Sequence, residues 1–528
     1  SRLMSAGPRS WPLSTMSSLS SPSIARSVAR AEPSCRADAA RRRLGPGPLR
    51  RLVHPLLAGL FGTSLVVLGG ALAGAASPGE GGRWWSVPTV PVHPRVDLLT
   101  ALALFYGGLI VVVRAWLLLR RVVHRNQFPA AAVVGVVVVW ALPLLAGPPL
   151  GSRDVYAYAA QARLAEEGFD VYSQGPSALG DDPVLDAMDP LYLDAPVLYG
   201  PVFVAISSAV SARTGGEVFN LVLAFRALAV LGLAITSVGI WDLARTHGRD
   251  PTDVFVLAVA NPLVLLHLVS GAHNEALMLA FLVSGVALGS RPWRTQRSAT
   301  AARLVGIALC AFAGAIKMPG ALGVAFLAWP WIEAAPGLAR RAGRAVVAGA
   351  QSLAVIALAG RLTGWGWGWV DAATGAKPID AYLSVTRVVG GGVQIATGFD
   401  EVMVLGVARA AGLMAAVVGT VWLLFGGRQS AVSALASSLL LFAVLHPTTQ
   451  PWYLTWGLML WAATSAGSSD RLFLIVTAGA AFVVMPVGPQ LGLVLLEGNG
   501  VASMLLVAVV LGAVALMPGP FGRRLGLG

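Results

Sequence analysis

What most limits the fold of this chain is the recurrence of apolar runs, each about long enough to cross a hydrocarbon layer of roughly 30 Å as a helix. They fall at about 52–75, 97–119, 128–147, 217–241, 252–270, 273–289, 300–316, 318–332, 343–360, 401–425, 429–445, 452–466, 471–488 and 499–517. A bilayer offers no water to a backbone polar group, so runs of this length and polarity are helices. The sequence therefore predicts an all-α polytopic integral membrane protein with about 13–15 transmembrane helices. Composition points the same way: 12% of the 528 residues are charged and 56% hydrophobic, where a soluble domain carries about a quarter charged. Mean hydropathy is +0.72.

The formal charge of +13 does not indicate a nucleic-acid partner. Its basic residues form short clusters between apolar runs, the distribution that the positive-inside rule describes. Arg120/Arg121/Arg125, Arg291/Arg294/Arg297, Arg340/Arg341/Arg344 and Arg523/Arg524 mark cytoplasmic ends. The segments 148–196, around 271–275, 361–400 and 446–451 then lie on the opposite face. One run, 197–212, upsets the parity of crossings. With Pro201 near its start and Gly215-Gly216 after its end, it reads as re-entrant or interfacial; the alternative places Arg245 and Arg249 outside. Residues 1–48, rich in Ser, Pro and Arg, are expected to form a disordered basic cytoplasmic tail. A membrane domain occupies 49–520, then a short cytoplasmic tail 521–528.

Several chemistries are excluded. Two cysteines build neither a disulfide framework nor a thiolate metal site. There is no phosphate-cradling Gly-rich Lys-Ser/Thr loop, and no soluble stretch exceeds about 50 residues, too short for a nucleotide-sugar domain of Rossmann type. No cofactor and no metal are expected. An external membrane enzyme of this kind takes its activated donor from lipid.

The loop 148–196 gathers acids and aromatics: Asp154, Asp170, Asp181, Asp182, Asp186, Asp189 and Asp194, with Tyr156, Tyr158, Tyr172, Tyr192 and neighbouring Tyr199. Carboxylates deprotonate hydroxyls and aromatic faces stack on sugar rings, so this combination suits carbohydrate chemistry, although solvation of an external loop accounts for most of the acids. Asp154 differs because it comes directly after an apolar stretch, where a carboxylate needs a partner or a task. Arg153 beside it offers a simple salt-bridge partner, so a structural role and a functional one stand level on spacing alone. The loop 361–400 contains Gly364-Trp365-Gly366-Trp367-Gly368-Trp369, then Asp371, Lys377, Asp380, Tyr382 and Arg387. The tryptophans read as an interfacial belt or a stacking surface, and Arg387 as a phosphate ligand or a solvated structural arginine.

Three polar interruptions sit at ends of apolar runs. His273, Asn274 and Glu275 lack the i, i+4 histidine spacing of helical zinc sites. Lys317, in Ile316-Lys317-Met318-Pro319, is an intramembrane cation and hence a functional candidate, unless it snorkels to the interface. The third, from His446 through Gln450, Trp452 and Tyr453, suits a lipid-phosphate or acceptor edge, or a simple turn.

Taken in order, these motifs resemble the actinobacterial polyprenol-phosphomannose-dependent α-1,6-mannosyltransferases. The resemblance rests on Asp154-Val155-Tyr156-Ala157-Tyr158-Ala159-Ala160-Gln161, Gly175-Pro176-Ser177, Asp189-Pro190, Tyr199-Gly200-Pro201 and Asn261-Pro262 through His267. Gly271-Ala272-His273-Asn274, Lys317-Met318-Pro319 and Gln450-Pro451-Trp452-Tyr453 complete it. Glu275 departs from the pattern, in which Asp is expected. The resemblance implies a GT-C glycosyltransferase with its catalytic carboxylate, here Asp154 as general base, in an early extracytoplasmic loop of the plasma-membrane protein. It also implies inverting transfer of mannose from a polyprenyl-phosphomannose donor to a lipid-anchored α-1,6-mannan acceptor, the core of lipomannan. Lys317 and Arg387 are then candidates for the donor phosphate. Tyr156, Tyr158, Tyr199, His273, Asn274, Glu275, His446, Gln450, Trp452 and Tyr453 become candidates for substrate contact. A polyprenol-linked sugar flippase and an arabinosyltransferase of the same class are the rival readings.

Overall fold

The computed structural model describes residues 46–75, 83–84, 87–88, 96–375, 384–465 and 469–488. Most of the expected tail 1–48, Lys377, Asp380, Tyr382, the run 499–517 and the tail 521–528 lie outside the described residues. Apart from a two-residue antiparallel ladder, Arg83–Trp84 with Val87–Pro88, the described structure is helices and their connections. The protein is an all-helical, multi-pass membrane protein. Among the described residues five helices are long and apolar enough to cross a bilayer: Leu49–Leu72, Leu98–Arg125, Val218–Thr246, Leu338–Thr363 and Glu401–Phe425. A sixth candidate is the pair Pro251–Ala258 and Pro262–Ser270, bent by 49°.

Among the described residues, three further apolar runs form shorter helices, Ala130–Ala146, Glu275–Ser290 and Ala431–Leu445. The cause is local. Proline supplies no amide hydrogen and is tolerated in the first helical turn, so Asn261-Pro262, Met318-Pro319 and Gln450-Pro451 each end one segment and begin another. At the first of these, the Asn261 side chain satisfies both cut ends. Its Nδ2 donates to the carbonyls of Leu257 and Ala258 at 2.9 Å, and its Oδ1 accepts from the Val264 amide at 2.9 Å.

At one end of the bundle, charged side chains tie three helices together. Arg120 reaches Asp253 at 3.6 Å and also Asp470, while Arg249 reaches Asp470 at 3.4 Å and Asp253 at 3.9 Å. Arg249 therefore lies at the Arg120 end. The helix Ala130–Ala146 leads from that end to Asp154.

The helix Pro201–Thr214 spans about 21 Å at 1.5 Å per residue. Both its ends are hydrogen-bonded to neighbouring segments. At its start the amides of Gly200 and Val202 donate to the carbonyls of Ile316 and Ala315, at 3.0 and 3.1 Å. Just past its end, the Gly216 carbonyl accepts from Arg163 Nη1 at 3.1 Å, and Arg163 Nη2 pairs with Asp182 at 2.8 Å. The start of this helix is thus tied to the segment that leads to Lys317, and its end to the helix that begins at Asp154.

The two long loops also meet. Tyr172 packs edge-on against Trp365, centroids 6.2 Å apart, within a small core that includes Val171, Val197 and Trp369. Of the three alternating tryptophans, Trp369 is buried and Trp367 exposed. The segment is thus divided between packing and surface, and does not form a uniform belt.

Candidate active site

The polar breaks converge. Asp154 begins the helix Asp154–Glu166, where the positive end of the helix dipole favours a carboxylate. Ser152 fixes it from both sides: the hydroxyl donates to Asp154 Oδ1 at 2.8 Å and accepts from the Asp154 amide at 3.0 Å. The other oxygen, Oδ2, lies 3.4 Å from His273 Nδ1. The side chain that meets this oxygen is therefore His273, brought from more than a hundred residues away, and not the adjacent Arg153.

His273 is wholly buried and stacks on Trp452, with centroids 4.0 Å apart and planes 25° apart. The chain reaches this position through a π-turn, Leu265–Ser270, and through Ala272 at φ 52°, the one non-glycine residue with positive φ among the described residues. Both features are uncommon and gather at functional sites. The imidazole faces a second carboxylate as well, with Glu275 Oε2 at 4.0 Å from Nδ1.

Glu275 is completely buried and pairs with Lys317, whose ammonium also donates to Asn274 Oδ1 at 3.3 Å. The ammonium lies 5.3 Å from the Tyr199 ring, 5.0 Å from Tyr453 and 5.9 Å from Trp456, a set of faces suited to a cation. Asp154, His273, Glu275 and Lys317 thus form one contiguous chain of polar side chains, lined by aromatic rings. Glu275 supplies the anion that an intramembrane ammonium requires, so Lys317 is compensated before any substrate is bound.

His446 meets Tyr453 edge-on at 5.7 Å. Its Nδ1 accepts from the Thr448 amide at 3.1 Å, which leaves the ring proton on Nε2 and makes that nitrogen a donor. Burial, together with the charge of Lys317, lowers its pKa to about 4, so the ring is neutral at physiological pH. Burial raises the Asp154 carboxyl, but the His273 ring, the Ser152 hydroxyl and the Lys317 ammonium more than offset this and hold it below the ordinary 3.8.

Not every sequence candidate joins this cluster. Residues two apart on a helix point in opposite directions, so Tyr158 shares the Asp154 face and packs on Tyr199 at 5.4 Å, whereas Tyr156 is buried on the other face. Gln450 occupies the cap position of the turn Pro451–Leu454. Arg387 sits on the helix Val385–Thr397 and pairs with Glu401 at 3.0 Å. Two contributors are additional to the sequence reading. Ser152 stands beside the carboxylate it orients, and Trp456 lies one helical turn beyond Tyr453, stacked on it at 4.4 Å. Among the described residues no group of three His, Cys, Asp or Glu side chains is arranged to hold a metal ion.

Close backbone approach sets the position of Tyr199 relative to Lys317. A Cβ on Gly200 would stand 2.1 Å from the Ala315 carbonyl oxygen, a backbone atom that cannot rotate away. Gly200→Ala is expected to separate Tyr199 from Lys317 and to lower both thermal stability and transfer rate, checked by melting in detergent and by a product assay. Parental values for both would show that the contact is not structural.

The chain is similar to known proteins over most of its length. A family model described as the alpha-(1->6)-mannopyranosyltransferase N-terminal domain matches residues 56–333, and a second, the MptB C-terminal domain, matches residues 382–517. The chain is 30% identical over 441 residues to a probable alpha-(1->6)-mannopyranosyltransferase of Mycolicibacterium smegmatis, covering 77% of this chain and 78% of that protein. It is 30% identical over 483 residues to alpha-(1->6)-mannopyranosyltransferase B of Corynebacterium glutamicum, covering 84% and 79%. A Mycobacterium tuberculosis alpha-(1->6)-mannopyranosyltransferase is 28% identical over 498 residues, covering 84% and 83%. The chain belongs to the alpha-(1->6)-mannopyranosyltransferase family and is a membrane mannosyltransferase.

Proposed function

We propose that the protein transfers mannose from polyprenyl-phosphomannose to the 6-hydroxyl of a lipid-anchored α-1,6-mannan, at the extracytoplasmic face of the plasma membrane, with inversion. The observation that carries this reading is the Asp154 carboxylate, oriented by Ser152 and His273 beside the Glu275–Lys317 pair. In the transfer, the acceptor oxygen attacks the anomeric carbon and its proton passes to Asp154. The bond from that carbon to the phosphate oxygen breaks, and polyprenyl phosphate leaves. A single base is sufficient for such a displacement. Lys317 has three N–H donors; Glu275 and Asn274 take two, and the third is available to the donor phosphate, whose developing charge it would stabilise. Arg387 is the second candidate for that phosphate. Tyr199, Tyr453 and Trp452 offer stacking faces to sugar, with His446 Nε2 as a hydrogen-bond donor.

Purified protein in lipid, given polyprenyl-phosphomannose and a short α-1,6-mannoside, should yield a product one hexose longer. The corresponding phosphoarabinose donor should yield none; the reverse preference would favour the arabinosyltransferase reading.

The proposed sidedness has its own test. Cysteine placed at the exposed positions Ser177 and Trp367 should react with an impermeant thiol reagent added outside intact cells, and cysteine at Arg294 should not. Labelling of Arg294→Cys alone would invert the assignment.

A further inference from the structure

We infer that Arg226 is a positioning residue that sets the geometry of the Asp154–His273 pair. It lies within the spanning helix Val218–Thr246 and is 2% exposed. Its guanidinium donates through Nη1 to the carbonyls of Leu145, at 2.9 Å, and Gly147, at 2.7 Å. Through Nε and Nη2 it donates to the Ser270 carbonyl at 3.2 and 3.0 Å. These acceptors are at the ends of two helical segments, Ala130–Ala146 and the π-turn Leu265–Ser270. The last carbonyls of a helix lack partners within it and carry the negative end of its dipole, and here two such ends converge on one cation.

Each of these ends leads directly into the site. Seven residues after Gly147 the chain reaches Asp154, and three residues after Ser270 it reaches His273. One planar fork thus fixes the departure points of both segments that bring carboxylate and imidazole to 3.4 Å. The helix carrying Arg226 is itself seated closely: a Cβ on Gly232 would stand 2.6 Å from the Ala276 carbonyl, next to Glu275. Arginine suits this task better than lysine, since a rigid fork can hold several acceptors in fixed directions and a point charge cannot.

This role for Arg226 rests on the proposed role of Asp154, so Asp154→Asn is measured alongside. Arg226→Lys keeps the charge and loses the fork. In proteoliposomes it should lower kcat by about 10- to 100-fold, the scale of a 1 Å misplacement, with donor and acceptor KM near the parent's. The acid limb of its pH–rate profile should move upward, because Asp154 loses part of its interaction with His273. In the double variant with His273→Gln, Arg226→Lys should add little further loss. Thr236→Ala, a buried change on the same helix, should behave like the parent. A parental kcat for Arg226→Lys, an unmoved acid limb, or full additivity with His273→Gln would overturn the inference. So would failure of Arg226→Lys to accumulate in membranes, which would make the clamp a folding requirement alone. If Asp154→Asn retains activity, the base assignment fails instead.

Discussion

Replacing Asp154 by Asn is expected to lower turnover by about 10² to 10⁴-fold, the range for loss of a general base, in a protein that still folds. Asn keeps the shape and the hydrogen bond from Ser152 but cannot take the acceptor's proton. The parent enzyme should also show a characteristic pH dependence. Its carboxylate is held below 3.8 and is ionised throughout the neutral range, so turnover should persist down through pH 5 and fall only as the pH passes below the ordinary carboxylate value. Removing a neighbour that lowers this pKa, as in Ser152→Ala, should move the acid limb upward. By contrast Asp181, an exposed residue of the same loop, should tolerate Asn. Kinetics of the purified variants in lipid check each outcome, and near-parental turnover of Asp154→Asn would remove the residue from the mechanism.

The second large effect concerns Lys317. Lys317→Met alone leaves Glu275 buried without its cation, and breaking such a pair costs about 3–5 kcal/mol, so this variant should melt at a much lower temperature. Lys317→Met combined with Glu275→Gln removes both charges and should recover most of the stability. It should still use donor poorly, by about 10- to 100-fold, the worth of a hydrogen bond to a charged group, while acceptor KM stays near the parent's. Lys317→Arg should restore donor use in part, because charge survives while geometry changes. A parental donor KM in the double variant would release Lys317 from the phosphate and leave Arg387 as its ligand.

The sequence exposes the components of this site more readily than their assembly. Helices and their breaks are legible because a Pro, His, Asn or Lys inside an apolar run is costly and therefore visible; Asn261-Pro262, Lys317 and His273 all stand out in this way. Their convergence is not legible, because the contact of His273 with Asp154 joins segments more than a hundred residues apart and no periodicity encodes it. Adjacent charge is a poor guide for the same reason: Arg153 is next to Asp154 in sequence, yet the imidazole of His273 is its partner in space. Loop composition also groups residues that the fold separates, as with Tyr156 and Tyr158 on opposite faces of one helix. Arg226 carries the same signal as Lys317, a lone cation in an apolar run. Its partners are main-chain carbonyls, which leave no pattern in side-chain identity.

Single-step displacement with Asp154 as the base is tested most directly by the stereochemical course of transfer. Donor bearing β-linked mannose, labelled with ¹³C at the anomeric carbon, should give a product whose one-bond carbon–hydrogen coupling reports an α-linkage after a single turnover. No mannosylated protein should be trapped along the way, since one base and no nucleophile are required. A β-linked product, or mannose covalently held on Asp154 or Glu275, would contradict that mechanism.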